Sequence, residues 1–519
     1  MGAPDKWFIR LLDNQLYWLN LVTESVHNTI RFLKTQSVGE GIHLGALLRY
    51  AEEMGVDYRQ GLFLQRAIEA IVRMELRDLK YKARIHVPYG VTLFGVLDCT
   101  GYLEEGQVYV TYDWQLLGKS AQPPPADDPV IMTRSPALHP GDVQVVTNKV
   151  PPEWHPLAKQ RNCIVFSRKG KRDLPSQLSG GDLDGDRFHA IWDPELLKQG
   201  QLTVFDPAEY QGESPSKLGR PADLQDVADW FVEFMKSDHI GQISMKHVIL
   251  ADLKGTPDPK CIQVAEIHSK AVDFAKSGVA VDMRQLPKMP KLRPHFLKPE
   301  NLHEDAEEDE QDIDQHPRYD YYYSGRILGQ LYTRVDEARI WPEDFNAGAD
   351  MASLGHSSSF WDELTACLVE QVHLQIGQLG WEHRWNQAQR LYNQYESAVL
   401  DMMTDWSEHP GRPLTEIDVF VGIIRNRRGG AQTSRQRHQS MKLRDEFTRV
   451  ANLIMVEMRR PYSVSEFTSE LDGLELGLAS LHFSNQMIAF GQGVGSGIAS
   501  FRIIAASALM LELNALMLT

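Results

Sequence analysis

Between residues 85 and 192 the hydrophobic pattern changes from a helical period to short alternating segments, and this change limits the folds open to the chain. The segments are rich in β-branched residues and are separated by Gly and Pro, as at residues 92–97, 107–111 and 162–166. Closely spaced short strands of this kind predict a small barrel or sandwich. Helical periodicity dominates on both sides. The sequence therefore predicts an α+β fold, with a compact β-domain embedded in a largely α-helical chain.

Three aspartates, Asp182, Asp184 and Asp186, alternate with Leu183 and Gly185 just before the last of these strands. In an extended backbone, side chains at i, i+2 and i+4 point the same way, so three carboxylates would share one small volume. Each carboxylate disfavours ionisation of its neighbours unless a cation neutralises them. Mg²⁺ suits such a site because it is a hard cation, bound by oxygen, that often also binds substrate phosphates. The three aspartates are therefore a candidate metal site.

Two other interpretations of this acidic segment are a calcium-binding loop and a solvated turn. A Ca²⁺ loop needs Gly at its sixth position, where this chain has Arg187, and a bidentate Glu at its twelfth, where it has Asp193. The residues after Asp186 also alternate as a strand does, whereas the calcium motif needs a helix there. Asp and Gly are ordinary turn residues, so the segment alone leaves a solvated acidic turn open.

A basic loop precedes the acidic segment and contains Arg168, Lys169, Lys171 and Arg172. Chemistry at a phosphoanhydride needs cations on the phosphates and a metal at the reacting phosphorus. A basic loop beside an acidic metal loop would meet both needs. Simple charge balance between the two loops is the alternative.

Two further segments carry arginines that could contact a nucleotide or RNA. Prolines predict a rigid turn after Arg134, which would hold its guanidinium where it could meet a phosphate or a ribose hydroxyl. His139 of the same turn is more typical of a packed core residue. Arg435 and Arg437 belong to a basic cluster around Gly430 that either contacts RNA phosphates or forms an exposed helix–loop face.

The overall composition limits where a nucleic acid could bind. The 519 residues carry a net charge of −16, so any RNA or DNA binding must come from local basic patches.

The four cysteines are far apart, which argues against zinc or disulfides and fits a reducing location, cytoplasmic or nuclear. No signal peptide is apparent. The apolar stretch at 503–518 contains Glu512 and Asn514, which favours a buried helix over a membrane span. The glycines of residues 491–497 favour a flexible loop over a dinucleotide-binding loop.

Periodicity and composition divide the chain into five predicted segments. These are an N-terminal helical region (1–84), the β-domain with the acidic loop (85–205), a mixed and helical neck-like region (206–302), an acidic linker (303–318) and a helical head-like domain (319–519). The acidic run of the fourth segment is typical of a disordered linker.

Seven segments, in the same order along the chain, resemble the eukaryotic cellular RNA-dependent RNA polymerases of RNA silencing, and the fungal members most closely. They are residues 83–88, 93–109, 134–142, 178–186, 265–278, 324–332 and 432–437. The order Arg-x-Pro-x-x-His followed by the acidic triplet also resembles the large catalytic subunit of multisubunit RNA polymerases. Each segment alone is a weak signal, and the set is specific.

The resemblance implies that the triplet lies on a double-psi β-barrel and that Asp182, Asp184 and Asp186 bind the catalytic Mg²⁺, with Mn²⁺ as a substitute. It implies that Arg134 lies near the ribose of the incoming nucleotide. The chain would then copy a single-stranded RNA template from NTPs and would act with the RNA-silencing machinery in small-RNA production.

One departure from the family is that its members pair two barrels, whereas this sequence shows only the second. We therefore expect the C-terminal catalytic portion of a longer polymerase. The leading alternative is a non-catalytic RNA-binding or scaffolding remnant that lacks the first barrel. A DNA-templated polymerase is disfavoured because the segments outside the triplet match the RNA-templated family. Oligomeric state, template preference and primer dependence leave no signal in the sequence.

Overall fold

The computed structural model places most of the chain in two compact units. It describes residues 1–115, 122–198, 202–210, 218–237, 239–288, 290–298, 319–341, 359–409, 411–426, 430–460, 471–490 and 497–518. Counting only the described residues, the first unit lies within 1–12, 85–298 and 319–331, and the second lies within 13–84 and 332–518. The predicted acidic linker at 303–318 and most of the glycine-rich segment at 491–497 lie outside the described residues. The five-segment division of the chain stays a prediction.

The first unit contains a closed barrel of six short strands. The strands are β1 (Gly90–Leu97), β2 (Gln107–Thr111), β3 (Pro129–Arg134), β4 (Val143–Asn148), β5 (Cys163–Phe166) and β6 (Arg187–Ile191). They close in the order β1-β5-β2-β4-β3-β6, with β1/β5 and β2/β4 parallel and the other pairs antiparallel. Apart from the consecutive pair β3 and β4, neighbouring strands are not consecutive in sequence, so the other connections cross over between strands. The predicted α+β fold, a double-psi β-barrel in a largely helical chain, is confirmed.

Alternation along the strands separates the barrel interior from its outer face. Val108, Met132, Phe166 and Phe188 are buried inside, and the rings of the last two meet edge-to-face with centroids 4.7 Å apart. Each such side chain contributes about 1.5–3 kcal/mol by leaving water. Leu183 of the acidic segment packs against the same core. The loop that carries the triplet is therefore anchored to the barrel by an apolar side chain.

Helices make up most of the remaining described residues. They are α1 (Asp5–Asn20), α2 (Val26–Thr35), α3 (Leu44–Glu53), α4 (Leu62–Lys82), α5 (Leu174–Gln177), α6 (Leu224–Ser237), α7 (Ile240–Lys254), α8 (Pro259–Val272), α9 (Phe274–Ser277), α10 (Ile327–Arg334), α11 (Glu337–Ile340), α12 (Ser359–Ile376), α13 (Trp385–Asp405), α14 (Glu416–Val421), α15 (Ser434–Arg459), α16 (Asp472–Phe490) and α17 (Phe501–Leu518). In the first unit, β7 (Leu292–Pro294) and β8 (Asp320–Tyr322) form a small parallel sheet, and α7 packs on α8.

The second unit is helical, and its core lies among α13, α15, α16 and α17. The side chains from Ile503 to Met510 on α17 are almost all fully buried, which confirms the buried helix predicted for this apolar stretch. Thr433 begins α15 with a capping box, in which its hydroxyl accepts from the Gln436 amide and the Gln436 side chain accepts from the Thr433 amide. Among the described residues, no helix is both long and apolar enough to cross a membrane.

Candidate metal centre

The acidic segment forms a tight loop between α5 and β6, and its glycines are required by its shape. The backbone has left-handed φ values of +63° at Gly180 and +128° at Gly185, which glycine adopts without strain. Gly181 is needed for another reason. A Cβ on this residue would lie 2.7 Å from Cδ of Arg134 and 3.1 Å from the carbonyl oxygen of Pro175. The loop therefore closes on Arg134 at a distance that only glycine permits.

The three predicted metal ligands converge in this loop. Asp182, Asp184 and Asp186 each offer a carboxylate oxygen, and these oxygens lie within 4.8 Å of one another. Asp182 and Asp184 are exposed and Asp186 is half-buried, while Leu183 between them points to the barrel core. An all-oxygen donor set of this kind fits a hard divalent cation. Within the described part of the chain, no other group of His, Cys, Asp and Glu side chains converges in this way.

Arg134, at the end of β3, binds the carboxylate of Asp186, the third aspartate of the triplet. Its Nε lies 2.7 Å from Oδ2 of Asp186, its Nη2 donates to Oδ1 at 2.9 Å, and its Nη1 donates to the carbonyl of Ser179 at 3.2 Å. The amide of Asp182 also donates to Oδ2 of Asp186 at 3.0 Å. Both side chains of the ion pair are only about one-fifth exposed (21% and 20%), so water screens it weakly. In this structure Arg134 therefore positions Asp186.

Substitution of Gly181 by Ala is expected to destabilise the first unit by about 1–3 kcal/mol, because the added methyl group overpacks the space held by Arg134. Thermal unfolding monitored by circular dichroism measures this loss. Gly241→Ala is the matched control, since a Cβ on that glycine of α7 meets nothing within 4 Å. A Gly181→Ala variant that unfolds at the temperature of the parent chain would contradict the close approach.

A buried carboxylate supports the turn that follows Arg134. Asp142 is wholly buried, and its Oδ2 accepts hydrogen bonds from the amides of Leu138 (3.1 Å) and His139 (2.9 Å). The hydroxyl of Tyr210 lies 2.9 Å from each of its carboxylate oxygens. The imidazole of His139 accepts from the amide of Gly141, so this histidine has a structural role, although it is only half-buried and is not the packed core residue that was expected. The carboxylate of Asp142 and the phenol of Tyr210 thus stabilise this turn from its buried side.

Burial raises the pKa of Asp142 above its ordinary value, although the hydrogen bonds from His139 and Tyr210 oppose the change. Because the folded chain holds this proton more tightly than the unfolded chain does, Asp142 favours folding at acidic pH. That contribution is lost as the pH rises through its raised pKa. Above that pH the buried carboxylate is ionised and depends on its donors.

Tyr210→Phe removes one such donor and is expected to lower the free energy of unfolding by about 1–2 kcal/mol at about pH 7. The loss should be smaller near pH 4, because more of the Asp142 carboxyl is protonated there than at about pH 7 and a protonated carboxyl needs its donors less. Urea unfolding at the two pH values measures the difference. Tyr89→Phe, at an exposed tyrosine of the same unit, serves as control. Equal losses at both pH values would contradict a role for ionised Asp142.

The predicted basic loop turns towards the connection between β1 and β2. The guanidinium of Arg168 donates to the carbonyl of Cys99 at 3.2 Å, and the ammonium of Lys169 forms a salt bridge with Glu104. Lys171 is exposed in the same loop. Glu104 lies outside the acidic segment and the partner of Arg168 is a backbone carbonyl, so these contacts do not show charge balance between the basic loop and the triplet. The role of the two lysines and the arginine at a nucleotide stays a prediction.

The remaining predicted basic residues lie at two places, one in each unit. Arg172 donates to the hydroxyl (3.2 Å) and the carbonyl (2.7 Å) of Ser176 on α5, which precedes the acidic loop. Arg435 and Arg437 belong to the second unit, in the first turn of α15. Arg435 is exposed, whereas Arg437 is paired with Asp78 of α4. Contact of these side chains with RNA also stays a prediction.

Two residues near the triplet were not recognised from the sequence, Tyr210 and His189. Tyr210 lies in a segment without regular structure, and its partner Asp142 is 68 residues away, so no local pattern indicates the contact. His189 lies on β6, and its ring lies between the hydroxyls of Thr92 and Ser135. The alternation of β6 did give a usable signal, because it places His189 on the outer face of the barrel.

Comparison with known proteins identifies the family. A family model described as RNA dependent RNA polymerase matches residues 1–335. The chain belongs to the RNA-dependent RNA polymerase family. The resemblance found in its sequence segments is thereby confirmed.

Two curated relatives agree with the family assignment. The chain is 33% identical over 352 residues to the probable RNA-dependent RNA polymerase SHL2 of Oryza sativa subsp. japonica, covering 65% of this chain and 27% of that protein. It is 32% identical over 323 residues to RNA-dependent RNA polymerase 1 of Schizosaccharomyces pombe, covering 57% and 26%. The solved RNA-dependent RNA polymerase QDE-1 from Thielavia terrestris aligns with a TM-score of 0.49 and 16% identity, over 99% of this chain and 55% of that one. The chain thus spans roughly a quarter of the length of these two curated relatives.

Proposed function

We propose that this chain carries the nucleotidyl-transfer site of an RNA-dependent RNA polymerase, which adds NTP-derived nucleotides to an RNA 3′-hydroxyl on an RNA template. The observation that carries the proposal is the convergence of three carboxylates within 4.8 Å on a barrel loop, in a chain of this family. Two of these carboxylates are exposed, so substrate phosphates can reach the same volume.

Mg²⁺, or Mn²⁺ in its place, would be held by Asp182, Asp184 and Asp186, and it supplies positive charge for the attacking hydroxyl and the reacting phosphate. The protein contributes preorganisation. Arg134 holds both oxygens of Asp186, and the amide of Asp182 holds one of them, so the third ligand is oriented before substrate arrives. Because Gly181 has no side chain, Arg134 has room to reach the carboxylate of Asp186.

The substrates of this reaction are a single-stranded RNA template and NTPs, and RNA-silencing proteins would be the partners that use its product. Because the chain has a net charge of −16, local cations must hold the RNA. The proposed phosphate contacts are Arg168, Lys169, Lys171, Arg172, Arg435 and Arg437. The widely separated free cysteines suit a reducing compartment, the cytoplasm or the nucleus.

Primer extension on an RNA template tests the proposed reaction. Incorporation is expected when Mg²⁺ is supplied, should stop when the metal is chelated and should return when Mg²⁺ is restored. Incorporation that persists in excess chelator would contradict the metal site. Binding of the template without any incorporation would favour the scaffold alternative.

A further inference from the structure

The outer face of β1 and β6 carries four side chains beside the triplet that have no assigned role. The register pairs Phe94 with Arg187 and Thr92 with His189. The intervening residues of both strands point into the barrel core, so these four lie together on its outer face. They form two adjacent cross-strand pairs, one aromatic and cationic, the other polar.

The first pair combines an exposed ring with a cation. The side chain of Phe94 is 53% exposed, and Cζ of Arg187 lies 5.9 Å from the centroid of its ring. Arg187 is itself exposed, and within the described part of the chain no carboxylate forms a salt bridge with it. The ring therefore keeps an open surface, and the guanidinium keeps capacity for an anion.

The second pair extends into a short row of hydroxyl and imidazole groups. Nδ1 of His189 lies 2.8 Å from the hydroxyl of Thr92, and its Nε2 lies 3.0 Å from the hydroxyl of Ser135. Burial, and then the charge of Arg187, lower the pKa of His189, so the ring is neutral at neutral pH. These contacts occupy both ring nitrogens of the neutral imidazole, while the two hydroxyls keep further donor and acceptor capacity that a ribose hydroxyl can use.

This face begins directly at the candidate metal centre. Arg187 follows Asp186 in the chain, and the amide of Gly95, next to Phe94, donates to the carbonyl of Asp186 at 3.2 Å. A backbone hydrogen bond thus connects the strand that carries Phe94 to the loop that carries the three carboxylates.

We propose that Phe94 and Arg187 form a stacking platform for a nucleotide of single-stranded RNA. The base lies on the ring of Phe94, the phosphate is bound by Arg187, and the row of Thr92, His189 and Ser135 lies towards the ribose. The inference rests on the proposed function, of which it names an RNA contact. Stacking on aromatic side chains and phosphate contacts to arginine are how proteins hold single-stranded RNA. A ring bordered by a cation and three polar groups fits a nucleotide better than an apolar protein surface.

The platform is tested by binding a short oligoribonucleotide that carries 2-aminopurine at its 3′ end. The experiment is done in chelator, so no incorporation can occur. Stacking quenches the fluorescence of 2-aminopurine, and the parent chain is expected to quench it on binding. Phe94→Ala should abolish the quenching and weaken binding about tenfold. Phe94→Tyr should retain both, and Phe94→Leu, which keeps an apolar side chain, should lose the quenching.

A second variant tests the phosphate contact. Arg187→Ala should lower the slope of log affinity against log salt by about one, and Arg187→Lys should preserve that slope. Leu97→Ala is the matched control, because this residue of the same strand is similarly exposed (49%) and lies outside the two pairs. It should bind and quench as the parent does.

The outcomes separate the platform from the proposed reaction. Quenching that is absent in the parent chain, or unchanged in Phe94→Ala, would overturn the platform even if the chain incorporates nucleotides. Loss of quenching in Phe94→Ala would support the platform even if the parent chain incorporates none. Because Phe94 is largely exposed, its variants should keep the unfolding temperature of the parent, which thermal unfolding checks.

Discussion

Asp184→Asn is expected to lower the rate of nucleotide incorporation by roughly a thousandfold, equivalent to about 4 kcal/mol of transition-state stabilisation. The substitution keeps the size of the side chain but removes one of the three charges that converge within 4.8 Å. A neutral amide binds a hard divalent cation less strongly than a carboxylate does. Single-turnover extension of a labelled primer measures the rate directly.

The control for this variant is Asp128→Asn, which removes an exposed aspartate from another loop of the same barrel. It should incorporate nucleotides at the rate of the parent chain. Because Asp184 is exposed, both variants should unfold at the same temperature as the parent. Full activity in Asp184→Asn would remove the triplet from the mechanism.

Arg134→Ala is expected to lower activity by about 10–100-fold, the usual cost of losing a group that orients a metal ligand. The guanidinium holds both oxygens of Asp186, so its removal frees the carboxylate to rotate. We expect the concentration of Mg²⁺ needed for half-maximal rate to rise, with a smaller change in KM for NTP. Arg134→Lys should be intermediate, since a point charge cannot form the two parallel bonds.

Arg161→Ala is the matched control for this prediction, because Arg161 is an exposed arginine of the same unit that lies away from the triplet. It should leave the Mg²⁺ dependence unchanged. If Arg134→Ala raised KM for NTP alone, at an unaltered Mg²⁺ requirement, the side chain would act on the nucleotide. That result would favour the ribose contact that the family resemblance implies.

The barrel was predictable because its signal is local. Short β-branched segments separated by Gly and Pro indicate strands whatever their partners, and the small domain follows from their spacing. The convergence of the three aspartates was also predicted, but from a backbone conformation that differs from the observed one. An extended backbone was expected, whereas the loop bends at Gly185 (φ +128°) and Leu183 anchors it to the core.

The contacts that complete the site were not predictable, because they join residues far apart in sequence. Arg134 meets Asp186 across 52 residues, and Tyr210 meets Asp142 across 68. A single sequence shows which chemical group each side chain carries, but not which distant residue that group contacts. The turn after Arg134 was expected to hold the guanidinium for a phosphate or a ribose hydroxyl, whereas in the structure the guanidinium binds the carboxylate of Asp186, and its contact with a nucleotide stays a prediction. For the same reason the salt bridge between Lys169 and Glu104, 65 residues apart, was not predicted from the sequence.

Direct metal binding tests the central claim most directly, since it does not depend on RNA. Titration of the chain with Mn²⁺, followed by electron paramagnetic resonance, should show a bound ion that Mg²⁺ displaces. Asp184→Asn should lose this binding, and Asp128→Asn should retain it. Equal Mn²⁺ binding by the parent chain and Asp184→Asn, or none by the parent, would contradict the account.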